Sequence, residues 1–257
     1  MVTIQDQYND LIAGFQKQCV TWKTQNPDMN FVFNKKLLYP QINISNIQYI
    51  IVADNPGDNE LKMGEYLYDC TNDKKRSGYI AHEAFRKLKL DEDSFLVLNK
   101  TPIHTSESEK IKKHKGNSVL NESMEYMAEL TFNINQLNPD AQTIIFGIGD
   151  SFDSDKEEFD EKDLFAPYYK KIAELYISLE ENELKFPLIT KHFSHYSFLQ
   201  DFCVEDDGAS KQIKYCEKKL RFRDLHNFEM NDFVTAIKDL PYRGWLETFV
   251  KSKENVL

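Results

Sequence analysis

The sequence predicts an α/β protein, a three-layer α/β/α sandwich around a central four-stranded, mainly parallel sheet. Two observations predict it. Four short apolar runs read as strands, and amphipathic stretches with a helical period separate them, which is the pattern of successive βαβ units. Right-handed crossovers between such strands place helices on both faces of the sheet.

The elements follow in order. Ile4, Tyr8, Leu11, Ile12, Phe15, Cys19 and Trp22 recur near a 3.6-residue period and form the first amphipathic helix. A strand at Tyr49 to Val52 stops at Asp54-Asn55-Pro56-Gly57, where Pro fixes φ and Gly accepts unusual angles. Residues 79–90 put Ile80, Ala84 and Leu88 on one helical face. Phe95 to Leu98 is the second strand, ended by Asn99 and then Pro102. A helix over 121–137 carries Met124, Met127, Ala128, Thr131, Ile134 and Leu137 in register. After Asn138-Pro139-Asp140, the third strand runs from Thr143 to Phe146 and closes on Gly147-Ile148-Gly149. A helix through Tyr168, Ile172, Leu175 and Leu179 leads to a last strand, Phe186 to Thr190, and then to His192. Residues 1–200 are thus expected as one α/β domain. Residues 201–257 are expected as a helical extension packed on it, with helices at Lys211 to Leu220, Met230 to Leu240 and Gly244 to Lys251.

Composition narrows the class. The 257 residues are 41% hydrophobic and include 18 Phe, 13 Tyr and two Trp, enough for a core and too aromatic for a disordered chain. No apolar run approaches the roughly 20 residues of a membrane span, and the first residues carry no secretory pattern. Cys19, Cys70, Cys203 and Cys216 stand far apart, so neither a disulfide framework nor a zinc site is expected. They read as idle thiols in a reducing cytoplasm. The net charge is −10, yet residues 150–163 hold eight acids against two lysines and so supply −6 of it. Lysines cluster elsewhere, at 74–76, 110–115 and 211–223, and such runs are usually solvated surface. Net charge therefore does not decide for or against nucleic acid.

In open parallel sheets ligands gather beyond the carboxyl ends of the strands. Those exits carry Asn55, Asn99, Gly147 and His192. Two asparagines and a histidine do not make a nucleophilic triad, and no Gly-x-Ser-x-Gly elbow, phosphate loop or His-Glu-x-x-His motif accompanies them. An Asn amide holds a donor and an acceptor in fixed relation and suits orienting water or reading a base edge. A histidine can hold a hydrogen bond to an oxygen that gains negative charge. Taken singly, Asn55 is also a common turn residue, Asn99 a strand cap and His192 a structural histidine.

The order of these motifs resembles the uracil-DNA glycosylase superfamily. Val52-Ala53-Asp54-Asn55-Pro56-Gly57 looks like its first motif, in the Asn-Pro-Gly form of the mismatch-specific and single-strand-selective branches. Gly64 matches the glycine ahead of the base-stacking Phe in the iron–sulfur branches. Phe95 to Pro102 is similar to the second strand, Leu137 to Gly147 to the third, and His192-Phe193-Ser194-His195-Tyr196-Ser197 to the last motif. The match runs from Tyr49 to Ser197.

The resemblance implies a DNA glycosylase that hydrolyses the N-glycosidic bond of uracil or a related damaged base, in base excision repair. It implies no metal or other cofactor, and DNA, single- or double-stranded, as partner. Asn55 would position the hydrolytic water and His192 would stabilise the departing base. Asn99 would read the base, with Pro56 and Gly57 closing against it. Leu67 stands where the stacking Phe is expected, with Tyr66 and Tyr68 beside it. Tyr196 would be the wedge that fills the gap left by a flipped nucleotide, and Ser194 and Ser197 would meet phosphates. Phe193 replaces the usual Pro, and the paired cysteines of the iron–sulfur branches are absent, so no cluster is expected. Phe193, the missing stacking Phe and the −10 charge motivate a second expectation: a superfamily member without base excision that binds nucleic acid, a nucleotide or a protein partner through the acidic insert at 150–163 and residues 201–257. Hydrolysis of a free nucleoside is a third.

Overall fold

The computed structural model describes residues 2–67, 77–106, 111–147, 152–153, 158–159, 163–177, 185–190, 192 and 229–238. Helix α1 spans Ile4–Gln25 and starts on a reciprocal cap, in which Thr3 Oγ1 accepts from Asp6 N–H and the Asp6 carboxylate accepts from Thr3 N–H. Strand β1 is Tyr49–Ala53, α2 Asp58–Met63, α3 Ser77–Lys87 and β2 Phe95–Asn99. Then come α4 Ser118–Leu137, β3 Gln142–Phe146, α5 Ala166–Ile177, β6 Leu188–Thr190 and α6 Met230–Lys238. Between β3 and α5 the acidic stretch contributes a two-residue ribbon, β4 Phe152–Asp153 antiparallel to β5 Glu158–Phe159.

The central sheet has the order β2-β1-β3-β6, and every pair is parallel. All five residues of β1, β2 and β3 are buried, which explains why they read as unbroken apolar runs rather than as alternation. Val52 is level with Leu98 on one side and Ile145 on the other, and Phe146 is level with Thr190. The last row across the sheet is therefore Asn99, Ala53, Phe146, Thr190, with all four side chains on one face.

Named contacts separate the two faces. On the face of that row, Phe95 packs on Phe85 of α3, Phe146 stacks on Phe233 of α6, and Tyr49 donates to Asn231 Oδ1. On the opposite face Thr143 meets the Tyr176 hydroxyl of α5, and α4 packs along α5. Helix α1 joins α4 through Trp22, whose indole N–H donates to Glu122 and whose ring meets Tyr126 edge-on. The result is the three-layer sandwich. Within the stretch expected as an extension, α6 belongs to the sandwich itself, since Met230 and Phe233 are part of the main core. The expected helices at Lys211 to Leu220 and Gly244 to Lys251 lie outside the described residues. Among the described residues no helix is long and apolar enough to cross a membrane.

Two outcomes check this packing. Phe233→Ala should cost about 3 kcal/mol or more in urea unfolding, as loss of a buried aromatic does, although the residue lies far from the rest of the core in sequence. Burial pushes the hydroxyls of Tyr8, Tyr168 and Tyr176 well above their ordinary value of 10.0. The folded state therefore keeps protons that the unfolded chain releases. That stability is whole below pH 10 and drains away as pH rises further, so thermal melts should fall steeply above pH 10.

Candidate functional site

The site begins at the exit of β1. Its central place in the sheet brings the 54–57 turn between the exits of β2 and β3, where the strand order reverses. Neighbouring strands lie about 4.8 Å apart, so Asn99 on β2 is one spacing from this turn and the β6 exit is two. Asn55, Asn99 and His192 thus come to one edge of the sheet. Asn99 is 2% exposed and His192 8%.

The segment after β2 grips the turn. Lys100 N–H donates to the carbonyls of Ala53 at 2.8 Å and Asp54 at 3.0 Å, and Thr105 N–H donates to Pro56 O at 3.2 Å. Asn55 Nδ2 donates to Thr105 Oγ1 at 2.9 Å and to Pro56 O at 3.2 Å. A carbonyl can only accept, so these bonds settle which way the Asn55 amide faces. Its Oδ1 is left buried with no protein partner among the described residues, and the same holds for Asn99 Oδ1 and Thr190 Oγ1. Buried polar atoms are nearly always paired, so orphaned acceptors at adjacent strand exits point to a ligand or ordered water.

The gripping segment is anchored in turn. Thr101 Oγ1 bonds Ser123 Oγ at 2.7 Å, Val32 N–H donates to Pro102 O at 2.8 Å, and His104 N–H donates to Asn30 O at 2.8 Å. His104 Nε2 lies 2.9 Å from Asp58 Oδ1 at the start of α2. Gly57 N–H donates to Glu60 Oε2 at 2.8 Å, and burial raises the Glu60 carboxyl above its ordinary value against the pull of that bond.

Beneath the turn lies a group to which the sequence reading assigned nothing. Lys100 is wholly buried, with Nζ 2.6 Å from Asp54 Oδ1, 2.7 Å from Phe146 O and 3.4 Å from Gly147 O. Phe165 and Tyr169 present their rings to it at 4.6 and 5.1 Å. The signal for it in sequence was a lysine directly after an otherwise apolar strand, paired with an acid directly after another. Thr105 has no such signal, because a lone threonine in a loop carries no pattern.

The remaining predicted residues fall in different places. Pro56 is buried and Gly57 half-buried, both in the turn. Tyr66 is 1% exposed, and its hydroxyl donates to Val32 O at 2.6 Å, so its ring offers no open face. Leu67 is buried with φ of +47°, and its carbonyl faces His82 Nε2 at 2.9 Å. Tyr68, Phe193, Ser194, Tyr196 and Ser197 lie outside the described residues. Among the described residues no cluster of three or more His, Cys, Asp or Glu is placed to hold a metal ion. Burial pushes the Cys19 thiol up to about 12, which makes it a poor nucleophile.

No protein-family model matches the chain, and no curated protein matches it.

Gly147 tests the geometry of this edge. Its φ is +93°, and a Cβ there would lie 2.2 Å from Asp54 Oδ1. Gly147→Ala should destabilise the protein by more than about 2 kcal/mol in urea unfolding, from backbone strain and overpacking together.

Proposed function

We propose that the protein is a monofunctional DNA glycosylase of the uracil-DNA glycosylase superfamily, hydrolysing the N-glycosidic bond of uracil or a related damaged base. The observation that carries this reading is the pair of buried amide oxygens of Asn55 and Asn99 at neighbouring strand exits, without a partner among the described residues. Its second support is the resemblance of motif order along the chain.

Each group then has a task. Asn55 Oδ1, fixed by the bonds of its own nitrogen to Thr105 and Pro56, accepts from an O–H of water and turns a lone pair toward the anomeric carbon. The bond from that carbon to the base nitrogen breaks, and its electron pair leaves with the base. The bond to the water oxygen forms, and the proton shed by water ends on the departed base or in solvent. His192 donates to a base carbonyl oxygen as charge builds there. Asn99 Oδ1 accepts only, so it takes a ring N–H. Uracil and hypoxanthine carry one on the edge that is read, whereas cytosine and adenine have an acceptor at that place. The exposed Lys112 and Lys113, in the chain that follows Thr105, supply positive charge for phosphates.

One observation favours a second reading, a superfamily member that binds nucleic acid without excising a base. The closed ring of Tyr66 and the aliphatic Leu67 leave no open aromatic face, among the described residues, where a stacking ring is expected. Oligonucleotides carrying uracil, hypoxanthine or no lesion separate the two. The glycosylase releases free uracil or hypoxanthine in single-turnover assays, and Asn55→Ala cuts that rate by about 100-fold or more while binding stays within about twofold. Binding that weakens steeply with salt but releases no base supports the second reading. Binding with a flat salt dependence and no release removes both.

A further inference from the structure

We propose that Lys100 and Asp54 are positioning residues for Asn55, an ion pair on a buried lysine that sets the orientation of the water-binding amide. The proposal rests on the reading of Asn55 as the group that positions water. The pair itself stands on geometry alone. Lys100 has no exposed surface, and its Nζ binds Asp54 Oδ1 at 2.6 Å and Phe146 O at 2.7 Å, while its own N–H holds Ala53 O and Asp54 O.

Stability does not account for this arrangement. Taking an ammonium wholly out of water costs several kcal/mol, and apolar residues of similar size often serve a core as well or better. What a charged lysine does here, and an apolar residue cannot, is bond to three strand exits at once. It directly follows β2, pulls in the side chain that follows β1, and caps the carbonyl that ends β3. A second observation agrees. At residue 147, on β3's exit, a Cβ would collide with the pair, at 2.2 Å from Asp54 Oδ1 and 3.0 Å from Lys100 Nζ, and the residue is glycine.

The consequence reaches Asn55 through one peptide bond. Asp54 is held at its carbonyl by Lys100 N–H and at its carboxylate by Lys100 Nζ, so its backbone cannot rotate. Thr105 then holds the Asn55 amide from the far side. The two clamps come from the same six-residue segment, and each removes a rotation that would swing Asn55 Oδ1 away from the water it presents.

The test combines Lys100→Met, Asp54→Asn and the double variant in the full chain. Lys100→Met leaves a mostly buried carboxylate, 19% exposed, without its cation, so it lowers both thermal stability and turnover. The double variant removes that charge and should regain stability. Its kcat on a uracil-containing oligonucleotide should stay about 10- to 100-fold down, with KM changed less than about twofold, because Asn55 remains unclamped. A purely structural pair predicts instead that stability and kcat recover together, which overturns the proposal. A second measurement needs no substrate: the side-chain amide signal of Asn55 in ¹H–¹⁵N spectra, identified by its loss in Asn55→Ala. It should shift or broaden in the double variant, which serves also if Lys100→Met fails to fold. An unmoved Asn55 signal overturns the positioning role. If wild-type protein releases no base, the glycosylase reading fails, and the amide signal still decides whether the pair positions Asn55.

Discussion

The grip of segment 99–105 on the turn after β1 is the constraint on which the functional edge depends. Five hydrogen bonds cross between them, from Lys100 and Thr105 backbone, Lys100 Nζ and the Asn55 amide. Without that grip the turn would be an exposed Asn-Pro-Gly loop with several accessible conformations, and the Asn55 amide would rotate freely. With it, the amide nitrogen is consumed and the oxygen is presented alone. That oxygen can then pair only with a hydrogen-bond donor, since an amide oxygen only accepts.

The two faces of the sheet divide the labour. Asn99 and Thr190 share a face with Phe146 and the α3 and α6 helices, whereas Lys100 and the Asp54 side chain project to the opposite face, against α5. Alternation along a strand makes this separation unavoidable: Asn99 and Lys100 are adjacent in the chain and so point to opposite sides. The polar groups at the strand exits and the buried charge beside them therefore never compete for the same space. Aromatic packing insulates both, through Phe146 on Phe233 above and Phe165 and Tyr169 below.

Much of the fold was legible because hydrophobic burial writes a local pattern. A strand covered on both faces is an apolar run, as Tyr49–Ala53 and Gln142–Phe146 are, and a helix with one buried face repeats at 3.6 residues, as α1 and α4 do. Strand ends were legible through Asn-Pro-Gly and Gly147, residues that accept turn geometry. Less legible was the place of α6. Its amphipathic period was plain, but a period does not say which surface the apolar face covers, and its partners Tyr49 and Phe146 lie some 80 to 180 positions away in the chain. Tyr66 failed to declare itself for the same reason, since nothing local tells whether a tyrosine ring opens onto a crevice or closes on Val32.

What the sequence determined by itself is the four central strands and the polar residues at their ends, because each follows from residue type and short-range spacing. Only the tertiary structure decided the order β2-β1-β3-β6, the union of buried Lys100 with Asp54, and an Asn55 oxygen with no partner among the described residues. Those depend on which distant groups meet in a medium with no water to satisfy them. There an unpaired donor or charge is costly enough to select one arrangement, and residue spacing carries no record of that selection.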